Sequence, residues 1–225
     1  GVIGANGAGK STLLKALAGL LPAERGSVDV DGAPVAGWGR TELARRIAYL
    51  PQERIVHWPL SVRATVALGR FPHRGPDATA AAEDAAVARA MDTMDVAALA
   101  GRAVSELSGG ELARVLVARA LAQSTTYLLA DEPAAGLDPA HQLALFASLA
   151  SLAAAGRCVL VALHDLSLAA RFCHKLLLLK EGRLIAEGPP ALVLTGPLLA
   201  EAFAIVASLE IAAGQPVVVP IQTLR

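Results

Sequence analysis

Eight residues near the start of the chain constrain its fold more than any others: Gly4-Ala5-Asn6-Gly7-Ala8-Gly9-Lys10-Ser11. They lie between an apolar stub, Val2-Ile3, and an apolar run from Ser11 to Leu20 that reads as a helix. Glycines let the backbone curl so that successive N–H groups point inward, the shape that holds phosphate oxygens. The helix that starts there adds its positive dipole end at the same place. Lys10 can reach the β- and γ-phosphates of a nucleoside triphosphate, and the Ser11 hydroxyl can ligate Mg²⁺. A chain of this length matches the four fixed positions of GxxxxGK[ST] by chance on the order of 1% of the time, which sets aside an accidental glycine turn.

The remaining sequence predicts α/β architecture. Its 225 residues are 54% apolar but only 4% aromatic, and much of the apolar content is Ala and Leu. That favours helices packed on a sheet. Short apolar runs at Ile47–Leu50, Thr126–Ala130 and Cys158–Leu163 read as buried strands, with helical patterns between them. Alternation of this kind implies a mainly parallel sheet. Asp31-Gly32 and Glu181-Gly182 mark hairpins. Pro59 to Pro76 reads as irregular, Asp77 as the cap of a long Ala-rich helix reaching about Met94, and Asp95 as the cap of a shorter one. Glu111–Ala122, a helix started by Asp138-Pro139 and ended by Gly156, and Asp165–Cys173 follow. In the tail, a short helix near Leu198–Phe203 precedes an extended Val217–Val219. The nearly all-helical stretch at about 62–122 is expected to be a helical subdomain inserted in a single domain.

Acidic and basic residues balance at 20 each, so no basic excess draws the chain onto nucleic acid. Cys158 and Cys173 have no metal-ligand spacing and read as reduced core thiols. The longest apolar-leaning stretch, Leu143 to Ala155, contains Ser148 and Ser151 and is too short to span a membrane. The chain begins Gly1-Val2-Ile3-Gly4 inside what reads as a strand, so further N-terminal strands are expected upstream.

Tyr127-Leu128-Leu129-Ala130 leads into Asp131-Glu132. An apolar strand ending in an acid is the second half of a P-loop NTPase site. Asp131 is placed to hold Mg²⁺ and Glu132, one residue on, to polarise the attacking water. Upstream, Leu107-Ser108-Gly109-Gly110-Glu111 opens a helix, so its N–H groups and Ser108 can bind an anion. The same residues fit a capping box, Ser108 with an acid three residues on, and both readings can hold at once.

With these residues the sequence resembles the ABC ATPases over essentially its whole length. Leu107 to Glu111 resembles the family's LSGGQ signature with Glu in the last position. Gln52 in Leu50-Pro51-Gln52-Glu53 looks like its Q-loop, Asp138 in Gly136-Leu137-Asp138 like its D-loop, and His164 like its switch histidine. The resemblance implies ATP and Mg²⁺ as ligands. Phosphates would be held by Gly4, Asn6, Gly7, Ala8, Gly9, Lys10, Ser11 and Thr12, Mg²⁺ by Ser11, Gln52 and Asp131, and chemistry carried by Glu132, His164 and Gln52. It also implies a homodimer in which Ser108, Gly109, Gly110 and Glu111 of one copy complete the site of the other. The family's adenine-stacking aromatic lies upstream of the phosphate loop, outside this chain, and Ala134 stands where the family usually has Thr.

Leu68-Gly69-Arg70-Phe71-Pro72-His73 is similar to a segment of ATPases for iron–siderophore, haem and cobalamin uptake. So are Ala130-Asp131-Glu132-Pro133 with Gly136-Leu137-Asp138-Pro139-Ala140-His141-Gln142, His164-Asp165-Leu166-Ser167-Leu168-Ala169-Ala170-Arg171, and the tail Gln215-Pro216-Val217-Val218-Val219-Pro220. What this implies is a peripheral subunit on the cytoplasmic face of the inner membrane, powering import through a separate integral permease and indirectly a substrate-binding protein. The coupling contact is expected near Ile55–Arg74. The alternatives are an importer ATPase for another substrate and a soluble ABC ATPase acting on nucleic acid. Against the latter, only 55 residues lie between Gln52 and Ser108, and no heptads run through them.

Overall fold

The computed structural model describes residues 1–53, 59–75 and 78–224. β1 (Val2–Ile3) leads through the glycine loop into α1 (Lys10–Leu17), followed by β2 (Asp29–Val30), β3 (Ala33–Pro34), α2 (Arg40–Ala44) and β4 (Ile47–Leu50). Then come three helices, α3 (Val62–Ala67), α4 (Ala80–Thr93) and α5 (Gly109–Ala122). The rest runs β5 (Tyr127–Asp131), α6 (Pro139–Ala154), β6 (Cys158–Ala162), α7 (Leu166–Phe172), β7 (Leu176–Lys180), β8 (Arg183–Gly188), α8 (Pro190–Val193), α9 (Gly196–Phe203), β9 (Ile205–Ala212) and β10 (Gln215–Thr223). The chain divides into two compact units, Gly1–Leu14 with Leu160–Arg225, and Lys15–Val159.

In the first unit β1 is parallel to both its neighbours. Val2 pairs with Ala162 of β6 and with Leu177 of β7, and β8 is antiparallel to β7. Val2, Ile3, Leu176 and Leu178 are fully buried, as expected for strands covered on both faces. The turn between β7 and β8 has Glu181 and Gly182 at φ 49° and 76°, the left-handed pair that suits a two-residue hairpin. A second hairpin, β9 with β10, was not foreseen beyond Val217–Val219. Its turn places Ala213 at φ 49° before Gly214, and alanine is a poor turn signal. Ser167 on α7 anchors this hairpin by accepting from Val218 N at 3.0 Å.

In the second unit β4 and β5 are parallel in the register Ile47↔Tyr127 to Leu50↔Ala130. That register brings their C-terminal ends, and the residues just past them, side by side. α5 packs against both α3 and α4. α4 turns Ala86, Val87, Ala90 and Met91 inward, a helical i, i+1, i+4, i+5 stripe.

Several expectations are corrected here. Pro59 to Pro76 is not irregular over its described length. It holds α3, capped by Ser61, whose side chain accepts from Ala64 N, and a 3₁₀ turn over Leu68–His73. Val62, Thr65 and Val66 are β-branched and obscured the helix. Asp77 lies outside the described residues, and α4 is capped by Thr79, which accepts from Ala82 N. Asp95 caps nothing: it sits at φ 51° and pairs with Arg114 at 3.6 Å. Cys158 is exposed and Cys173 only half-buried, so neither is a core thiol, although both are free.

Arg70 and His73 are tied to the C-terminal end of α5. The Arg70 side chain is 11% exposed and forks onto Glu83 at 2.9 and 3.1 Å. It also donates to Ala122 O at 2.7 Å, satisfying a carbonyl at the C-terminal end of α5, and to Ser124 Oγ at 3.1 Å. His73 Nε2 lies 2.8 Å from Gln123 O. Among the described residues no helix is long and apolar enough to cross a membrane.

Candidate active site

The glycine loop is shaped by its backbone. Gly4 sits at φ 154°, and a Cβ there would collide with the carbonyl of Leu179 on β7. Gly9 sits at φ 98°, and a Cβ there would lie 3.5 Å from Gly182. Gly182 in turn donates its N–H to Ala8 O at 3.0 Å, so the β7–β8 turn braces the loop. Ala8 is buried against Val2 and Leu179. Lys10 is only 5% exposed, and its ammonium donates to Gly4 O at 2.9 Å and Ala5 O at 3.2 Å. Asn6, Gly7 and Thr12 are exposed and Ser11 half-buried, at the open end of the loop and the first turn of α1. In the same unit His164 is exposed, just past β6 and just before Asp165, which caps α7.

The acids stand at the end of β5. Asp131 is 2% exposed. Glu132 follows at φ 49°, a left-handed conformation that is uncommon and costly for a residue with a Cβ. That turn parts the two carboxyls: Glu132 accepts from Gln52 Nε2 at 2.7 Å, while the Tyr49 hydroxyl lies 3.5 Å from Asp131 Oδ2. Burial, and then the Asp131 charge, push the Tyr49 hydroxyl up to about 12. Asp131 Oδ1 is buried with no hydrogen-bond partner. A desolvated carboxylate oxygen left unpaired is costly, so this atom suits a cation or its bound water. No group of three His, Cys, Asp or Glu that could hold a metal alone occurs among the described residues. A single bare carboxylate oxygen fits a cation such as Mg²⁺ that is carried mainly by substrate phosphates and takes one or two protein ligands.

Ser108 and Glu111 form the capping box at the start of α5. Ser108 Oγ accepts from Glu111 N at 3.3 Å, and Glu111 accepts from Ser108 N at 2.8 Å. Hydrogen bonds from the Ser108 backbone and side chain hold the Glu111 carboxyl below its ordinary pKa. Gly109 and Gly110 present first-turn amides. Asp138 caps α6, accepting from His141 N at 2.9 Å and bonding His141 Nδ1 at 2.7 Å. The His141 ring lies 3.5 Å from where a Gly110 Cβ would be, so the signature loop and the start of α6 are neighbours.

Within the second unit the structure thus joins Gln52 to Glu132, and links Gly110 to Asp138 through His141. Sequence reading missed Tyr49, Gly182 and His141 as supports. The β4–β5 register would have pointed to Tyr49, because residues paired across parallel strands share a face.

Residues 1–135 match the family described as ABC transporter. The chain is 48% identical over 203 residues to the hemin import ATP-binding protein HmuV of Nocardia farcinica, covering 90% of this chain and 70% of that protein. It is 45% identical to the cobalamin import ATP-binding protein BtuD of Halobacterium salinarum, covering 90% and 51%. An ABC transporter in an inward-facing conformation, described as of metal-chelate type, has a chain with TM-score 0.83 and 27% identity, covering 98% of this chain and 84% of that one. The ATP-binding cassette MJ0796, a dimer in a post-hydrolysis state bound to ADP and Pi, matches with TM-score 0.74 and 26% identity over 84% of each chain. Mainly parallel strands, a glycine loop closing on its lysine, and relatives matched over most of their length lead to one conclusion: the chain belongs to the ABC transporter family, as an ATP-binding and ATP-hydrolysing subunit.

Proposed function

We propose that this subunit powers the import of haem, working as a homodimer beneath a separate membrane permease. The observation that carries the substrate is the 48% identity to a hemin import ATP-binding protein across 90% of the chain. The permease would hold the subunit at the cytoplasmic face of the inner membrane, with a substrate-binding protein acting indirectly. Residues 62–122 would form the helical subdomain that meets the permease. Phe71, 67% exposed, and Leu68 beside it would supply the apolar contact. Residues 55–58 of the expected contact lie outside the described residues.

The catalytic assignment rests on the motif resemblance and is supported within each unit by the contacts described above. Lys10 would exchange the Gly4 and Ala5 carbonyls for β- and γ-phosphate oxygens, joined by the loop amides from Gly4 to Ser11 and by Thr12. Glu132 would take the proton of the attacking water as its oxygen bonds the γ-phosphorus and the bond to ADP breaks. Gln52, already bonded to Glu132, would orient that carboxylate and the water. His164 would contact the γ-phosphate. Ser108, Gly109 and Gly110 of a second copy would donate to the same phosphate, with Glu111 keeping their helix capped and Asp138 at the junction. Mg²⁺ would be held by Ser11, Gln52 and Asp131 and would supply charge neutralisation on the phosphates.

The test is growth with haem as sole iron source. Deletion of the gene is expected to abolish growth, the parent gene to restore it and Glu132→Gln to leave it absent. Normal haem use by the deletion strain, with failed uptake of a siderophore or cobalamin, would reassign the substrate.

A further inference from the structure

We infer that Tyr49 is a positioning residue for the metal side of the site: it holds one oxygen of Asp131 so that the other is left for the cation. This rests on the reading above that Asp131 holds Mg²⁺. Tyr49 pairs with Leu129 in the β4–β5 register, and Asp131 lies two residues further along the same face of β5. The hydroxyl therefore meets the carboxylate diagonally, at 3.5 Å from Oδ2. Oδ1 of the same carboxylate is buried without a partner, and Asp131 as a whole is 2% exposed. One oxygen is thus restrained and its twin presented bare.

The arrangement is repeated one residue on. Gln52, just past β4, bonds Glu132, just past β5, at 2.7 Å. The end of β4 thus supplies one holder for each acid, and the left-handed turn at Glu132 keeps the two holders apart. Without the Tyr49 hydroxyl the Asp131 carboxylate is free to rotate, and its metal-facing oxygen is no longer fixed. Loss of such an outer partner typically weakens metal binding by roughly 10–100-fold.

The experiment compares two affinities in the full chain. Mn²⁺ binding in the presence of ATP is read by electron paramagnetic resonance, and ATP binding in EDTA by calorimetry. Tyr49→Phe is expected to weaken Mn²⁺ binding about tenfold while metal-free ATP binding stays within about twofold. Unchanged Mn²⁺ affinity in Tyr49→Phe would overturn the inference. So would an equal loss of both affinities, which marks a general structural role. Asp131→Asn separates the underlying reading: if it keeps parental Mn²⁺ affinity, Asp131 is not a metal ligand and the larger assignment fails with it.

Discussion

The glycine loop and the acid cluster achieve their geometry by opposite means. The loop is fixed by backbone: Gly4 against the Leu179 carbonyl, Gly182 N–H on Ala8 O, and a buried lysine bonded to loop carbonyls. Its determinants are contiguous in sequence apart from the β7–β8 brace. The acid cluster is fixed by side chains from the ends of two strands, with Gln52 and Glu132 80 positions apart. It also carries the costlier features, a left-handed Glu132 and an unpaired buried oxygen on Asp131. Backbone is suited to a ligand group that always sits in one place. Side chains are suited to groups that must exchange partners as charge and protons move.

The comparison is tested hardest at Lys10. Lys10→Ala removes charge-assisted bonds to phosphate, each contributing about 1.5–3 kcal/mol, and is expected to lower ATP affinity by about 100-fold or more in calorimetry. Near-parental affinity would show that the acid cluster binds nucleotide without the loop. A middle effect is expected at Gln52. Gln52→Ala frees the Glu132 carboxylate without touching the loop, so kcat should fall about tenfold through lost orientation while ATP affinity measured in EDTA is kept. A matched loss of both would join the two regions into one binding device.

The legibility of the sequence follows the same division. The loop was readable because a curl that only glycine tolerates leaves glycines in fixed order. The capping residues Ser108 and Asp138 were readable because a cap and its partner lie three residues apart. Tyr49, the Gln52–Glu132 bond and the Arg70 fork were not. Each depends on a register or packing between elements distant in the chain, which local pattern does not encode. The partners of Arg70, Glu83 and the end of α5, are 13 and 52 positions away. The tail hairpin was missed for a local reason, an alanine in a left-handed turn position.

The smallest expected effect concerns pH. Hydrogen bonds from Ser108 lower the Glu111 pKa from 4.5, as a bond from His141 N lowers that of Asp138 from 3.8. A depressed folded-state value means that the stabilisation is complete above the unfolded value and is lost as pH falls through the folded one. The melting-temperature difference between parent and Glu111→Gln should therefore be constant from about pH 7 to 5 and shrink below about pH 4.5. A difference that grows on acidification would place Glu111 outside the capping box in solution.

The central claim is that binding belongs to the loop and chemistry to the acids. It is tested most directly by measuring ATP affinity and phosphate release together in Glu132→Gln. The account predicts ATP affinity within about threefold of the parent and phosphate release lower by at least about 100-fold, the scale of a lost general base. Parental phosphate release in this variant, or loss of ATP affinity as deep as that of Lys10→Ala, would contradict it.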